Sequence, residues 1–245
     1  MSYLAAGDCD RRLDIYTRRD SFGPQQTVLF IHGGFWVSGS KEHSVMSLVP
    51  WFRMGCNVVN VEYRRTTGAP APAAADDCLA ALRFIVDGAK TYHVDTGRLT
   101  IAGESAGGHL ALLTAMNPKA PAVAAVVNFC GITDVVDLVG GPNRAESAVQ
   151  WIGPVSNPAD LARELSPLRH VRAGLPPILS IHGDADDTVP YDHARRLHEA
   201  LAAAGVPNQL LTIPAAGHGN FTRSQRRLIF RTVRHFLQGM SILTD

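Results

Sequence analysis

The sequence has almost no net charge, no long apolar run and no clustered cysteines, and each absence removes a class of function. Its 245 residues carry 23 Lys and Arg against 22 Asp and Glu, for a formal net charge of +1. No basic run stands out along the chain, so no nucleic-acid partner and no anionic membrane partner is expected. No apolar stretch approaches the ~18 residues that read as a membrane span. Residues 1–10 show no basic segment followed by an apolar run. No secretory signal is therefore expected, and the expected location is the cytoplasm, or outside the cell if a signal has been removed. Four cysteines, Cys9, Cys56, Cys78 and Cys130, form no C-x-x-C pair, which argues against a redox centre or a thiolate metal site. Three of them lie in or beside apolar segments and read as small buried hydrophobes. H-E-x-x-H, the P-loop pattern and G-x-G-x-x-G are also missing, so no metal, nucleotide or other cofactor is expected.

What is present is an ordinary globular composition, 46% apolar, in a chain long enough for one α/β domain over residues 1–245. Short apolar runs bounded by Gly, Pro or polar residues predict buried strands at 27–31, 57–61, 99–102, 123–129, 178–181 and 209–213. Residues 12–16 alternate polar and apolar, which predicts a half-exposed antiparallel strand. Helical spacing predicts helices over 73–92, 105–116, 192–204 and 222–237. Strands alternating with helices imply right-handed crossovers and a doubly wound, mostly parallel sheet of about eight strands. Such sheets bind ligands at the carboxyl ends of their strands. Residues 131–175 break the rhythm with Gly140, Gly141, Pro142, Pro154 and Pro158. This insertion after the sixth strand reads either as a surface excursion or as a partial cap over a site.

The chemistry concentrates in Gly103-Glu104-Ser105-Ala106-Gly107, between a predicted strand and a predicted helix. G-x-S-x-G in that slot places the serine on a strained turn with free N–H groups at the helix start. A serine hydroxyl needs a base, usually a histidine oriented by a carboxylate, and in this fold the order is Ser, acid, His. Of ten histidines only His218 lies in a short glycine-flanked loop between the last strand and the last helix. The acid should follow the strand at 178–181, where Asp184, Asp186 and Asp187 all qualify; spacing does not choose among them. His32-Gly33-Gly34 follows the strand at 27–31, and its N–H groups, with that of Ala106, form a candidate oxyanion hole. His109, one helical turn beyond Ser105, reads as a packed residue, and His182 as a brace for the acid loop. Asn220-Phe221-Thr222 matches a glycosylation acceptor by chance.

Together these residues resemble the α/β-hydrolase superfamily over about residues 12–238. The closest likeness is to small bacterial carboxylesterases of the hormone-sensitive-lipase-like and feruloyl/acetyl-xylan-esterase-like groups. The shared marks are His32-Gly33-Gly34-Phe35-Trp36, Gly103 to Ala111 and His182-Gly183-Asp184-Ala185-Asp186. The resemblance implies Asp186 as the acid and Gly33, Gly34 and Ala106 as oxyanion donors. It implies a serine carboxylesterase acting on small short-acyl or aryl esters, with Phe35, Trp36 and Trp151 lining an aromatic pocket. Phe35 stands where the esterases often have a third glycine. Trp36 to Lys41 is also similar to kynurenine formamidases, which implies an alternative amide hydrolase of formamidase type; a prolyl-oligopeptidase-like peptidase of the same fold and triad is the other amide-hydrolysing alternative.

Overall fold

The computed structural model describes residues 1–6, 9–18 and 23–244. Cys9 has a described backbone, but its side chain lies outside the described groups. Eight strands form one sheet: β1 (Ser2–Ala6), β2 (Cys9–Tyr16), β3 (Gln25–Ile31), β4 (Asn57–Val61), β5 (Val94–Glu104), β6 (Ala125–Phe129), β7 (Ile178–Gly183) and β8 (Asn208–Ile213). Their order is β1-β2-β4-β3-β5-β6-β7-β8. The pairs β1–β2 and β2–β4 are antiparallel; the others are parallel. This is the α/β-hydrolase fold expected above.

Parallel strands covered on both faces read as continuous apolar runs, which is why β3 to β7 are visible in the sequence; the edge strand β8 is mostly half-exposed. Along β3, Val28 and Phe30 enter the core on one face while Leu29 and Ile31 enter the core on the other. On the first face lie α1 (Val45–Arg53) and α8 (Arg223–Gly239); on the second lie α2 (Ala73–Asp87), α3 (Ala106–Met116) and α7 (Tyr191–Ala203). α3 is buried almost all round, as its Ala/Leu composition requires. α8 begins with a capping box in which Thr222 and Gln225 satisfy each other's backbone N–H groups. Outside the insertion at 131–175, two elements have no counterpart in the sequence reading. β1 is a short edge strand, and α1 carries Pro50 inside it, which breaks the helical signal.

The chain leaves β3 toward β4 on one side and returns as β5 on the other, so the order reverses between β3 and β5. Ligands collect at such a point, and both the His32-Gly33-Gly34 segment and Ser105 emerge there. The insertion between β6 and β7 contains α4 (Val135–Gly140), α5 (Glu146–Ile152), α6 (Pro158–Glu164) and one 3-10 turn at Pro167–His170. α7 pins it in place. The Thr133 N–H donates to His193 Nδ1 at 3.2 Å, and His193 Nε2 meets Asp137 Oδ2 at 3.0 Å. Arg196 pairs with Asp134 at 2.7 Å. No helix of the described residues is long and apolar enough to cross a membrane.

Candidate active site

β5 delivers Ser105 into α3 through a backbone at φ 55° and ψ −120°, a conformation that side chains rarely adopt. The flanking glycines make the turn possible. A Cβ at position 103 would stand 2.3 Å from the Gly107 carbonyl oxygen, and one at 107 would stand 2.1 Å from that of Ile31. The Ser105 N–H donates to Phe129 O at 2.8 Å, which ties the turn to β6. Strain of this kind, held by packing on every side, is typical of functional positions.

Three of the expected residues come together. Ser105 Oγ lies 2.9 Å from His218 Nε2, and His218 Nδ1 lies 2.8 Å from Asp186 Oδ2. An ionised carboxylate only accepts, so Nδ1 carries the proton and Nε2 is left bare toward the serine hydroxyl. Asp186 Oδ1 accepts the N–H groups of Thr188 and Val189, each at 2.9 Å. His182 Nε2 approaches Asp186 Oδ2 at 3.2 Å while also meeting Val189 O at 2.9 Å. Burial alone would raise the Asp186 pKa. Hydrogen bonds from His182, His218 and the Val189 N–H outweigh it and hold the carboxyl well below the usual range. The brace expected of His182 is therefore a direct contact with the acid. Asp184 instead accepts the Ala215 N–H at 2.7 Å and anchors the start of the His218 loop, and Asp187 meets Thr188.

The Gly33 and Gly34 turn packs against the serine. A Cβ on Gly33 would stand 3.0 Å from Glu104 O and 3.3 Å from Ser105 Cβ. Gly34, at φ +124°, would clash with Ser38 O at 2.2 Å if it bore a side chain. The N–H groups of Gly33, Gly34 and Ala106 meet no backbone acceptor among the described residues. His32 Nδ1 donates to Gly33 O at 2.7 Å, and its ring stacks on Tyr63 at 4.3 Å. Phe35 is half-buried, with its ring 6.4 Å from that of His218.

The aromatic-pocket expectation fails for Trp36 and Trp151. Both are fully buried and stacked on each other at 4.2 Å, with His109 edge-on to each. Phe35 and Trp36 have positive φ, and the turn carries the indole inward rather than to a rim. Trp36 Nε1 donates to His109 Nδ1 at 3.2 Å, and His109 Nε2 donates to Leu165 O at 2.7 Å. This cluster bolts the glycine turn, α3 and the insertion together. Trp36→Ala is expected to cost about 3–5 kcal/mol, read as a lower urea midpoint; an unchanged midpoint would show that the stack is not structural.

Among the described residues, one group of three potential metal ligands occurs: Cys130, Asp186 and His218, with ligand atoms within 4.8 Å of one another. Two of these already bond each other, and burial pushes the Cys130 thiol far up, away from the thiolate a metal would need. The group is poorly suited to hold an ion. A concavity of about 780 Å³ lies between α4, α6 and the start of α7, and no residue of the Ser105 cluster lines it.

This geometry can be set beside known proteins. The model of the BD-FAE family matches residues 13–201, most of the chain. The chain belongs to the BD-FAE family. Among relatives of this BD-FAE member, esterase LipC of Mycobacterium tuberculosis is 28% identical over 88% of the chain and 58% of LipC. Carboxylesterase NlhH of the same organism is 28% identical over 78% of the chain and 65% of NlhH. The chain thus spans little more than half the length of the curated relatives it matches first. Among solved structures, Est2, a thermophilic esterase of Thermogutta terrifontis, superposes with a TM-score of 0.86 at 26% identity. That match covers 100% of this chain and 95% of Est2, and Est2 structures hold propionate or butyrate or are phosphoramylated by tabun.

Proposed function

We propose that this BD-FAE member is a serine carboxylic ester hydrolase working through an acyl-enzyme on Ser105. The observation that carries the reading is the unbroken Ser105–His218–Asp186 chain, 2.9 and 2.8 Å long, on a strained strand-to-helix turn. His218 Nε2 takes the Ser105 proton as Oγ attacks the ester carbonyl carbon. Asp186 holds the productive tautomer and stabilises the imidazolium. The N–H groups of Gly33, Gly34 and Ala106 receive the oxyanion, each donor worth about 10²–10³ in turnover. His218 then protonates the leaving alcohol, and water repeats the sequence to free the carboxylic acid and Ser105.

Short-acyl or aryl esters suit the site best. Phe35 is the aromatic side chain beside His218, and the names of the Est2 complexes, with propionate and butyrate, support a short acyl group. The contacts of the insertion with His193, Arg196 and the tryptophan stack support a fixed element rather than a swinging lid. The test is a panel of p-nitrophenyl esters from acetate to decanoate, with methyl ferulate and N-formylkynurenine. Highest kcat/KM on the short or aryl esters is expected; formyl-amide turnover above every ester would overturn the assignment.

A further inference from the structure

Chain-wide neutrality conceals a strongly one-sided surface. Residues 200–244 hold five arginines, all on α8, and no Asp or Glu. Arg223, Arg227, Arg231 and Arg234 follow one another at i, i+4, i+8 and i+11, which makes a single stripe on a helix of 3.6 residues per turn. Spread over twelve positions, the stripe forms no run along the sequence. Elsewhere several arginines are paired: Arg64, Arg98, Arg163, Arg195 and Arg196 each meet a carboxylate, whereas Arg83 and Arg172 donate only to backbone carbonyls. On α8 no arginine forms an ion pair among the described residues. Arg226 and Arg234 donate only to the carbonyls of Phe221 and Arg53.

The second of those bonds joins α8 to α1, which packs on the same face of the sheet, adds Arg53 and carries no acid. α1 also exposes apolar groups that the core does not use. Met46 is 78% exposed, Val45 40% and Phe52 39%, while α8 contributes Leu228 at 36%. Both helices start at the sheet edge that holds Ser105. Ser47 of α1, Arg226 of α8 and His218 all favour the charged form of the half-buried Glu104 carboxyl next to the nucleophile, against the burial that opposes it.

We infer that the α1–α8 face docks on an anionic lipid bilayer surface, with the arginines over the headgroups and Met46 and Phe52 at the acyl boundary. Charge complementarity selects an anionic partner. The exposed apolar side chains favour lipid over nucleic acid, because only the bilayer offers them a water-free layer.

The test is flotation of the full chain with phosphatidylcholine vesicles, with and without phosphatidylglycerol. At least about tenfold more protein should float with the anionic vesicles, and raised salt should abolish the difference. The triple variant Arg223→Glu, Arg227→Glu, Arg231→Glu should lose flotation while keeping its turnover of soluble p-nitrophenyl acetate. Met46→Ser should weaken flotation without changing the salt response. The salt experiment on the unmodified chain gives the same answer if the triple variant fails to fold. Equal flotation on both vesicles, flotation on neither, or retention on double-stranded DNA without flotation would overturn the inference. The flotation results do not depend on the ester-hydrolase reading; only the p-nitrophenyl acetate control does.

Discussion

Asp186→Asn is expected to lower kcat by about 10⁴-fold while leaving the fold and KM nearly unchanged. The reason is the tautomer. Asp186 Oδ2 accepts from His218 Nδ1 at 2.8 Å, which leaves Nε2 free to accept from Ser105. An asparagine can turn its amide N–H toward Nδ1, and the ring proton then moves to Nε2, where it blocks proton uptake from the serine. The carboxylate also stabilises the imidazolium of the transition state, which a neutral amide does not. Asp184→Asn and Asp187→Asn are the controls. Asp184 serves the Ala215 N–H, an acceptor role that an amide oxygen preserves, and Asp187 meets only Thr188. Each should retain activity within about tenfold, by the loss typical of a single peripheral hydrogen bond. Steady-state kinetics on p-nitrophenyl acetate, with circular dichroism as a fold check, reads the result. Equal losses in all three variants would contradict the role given to Asp186.

The second large effect is on stability in mild acid. Burial pushes His32 and His109 down to about 4. His109 has no room for a second proton: Nδ1 receives the Trp36 N–H and Nε2–H is committed to Leu165 O. In the unfolded chain both rings titrate near their ordinary value of about 6.5. Above that value neither state is protonated and the two groups add no pH dependence. Between about 6.5 and 4 the unfolded chain binds two protons that the folded chain refuses, so stability falls as pH falls. Each ring contributes a slope of about 1.4 kcal/mol per pH unit. Summed to pH 4, the loss of roughly 5–7 kcal/mol rivals the whole stability of a typical domain. Asp186 works in the same direction only at lower pH. Its depressed carboxyl lends stability above the ordinary carboxylate value, and that stability is lost as pH drops below it. Urea unfolding at pH 7 and pH 5 measures the slope, and His109→Gln should remove about one proton from it. A flat profile between those values would show that the two rings are protonated within the fold.

Ser105 and His218 are legible in the sequence because each occupies a slot defined by order and flanking glycine. The acid is not. Three aspartates lie within four positions, and what separates them is the turn that aims the Thr188 and Val189 N–H groups at Asp186 alone. The family resemblance points to Asp186 where spacing does not. Strands β3 to β7 are legible through two-sided burial, whereas α1 is hidden by Pro50 and β1 by its edge position. Trp36 misleads for a different reason: a tryptophan beside a glycine pair looks like a pocket wall until the positive φ at Phe35 and Trp36 turns it inward. The arginine stripe of α8 escapes because neither a net charge of +1 nor a search for basic runs resolves one face of a helix.

The nucleophilic role of Ser105 is tested most directly by intact-mass measurement after treatment with an organophosphate. The account predicts one adduct per chain, found on the peptide containing Ser105, and neither adduct nor turnover in Ser105→Ala. An adduct on another residue, or labelling and turnover that survive Ser105→Ala, would contradict it.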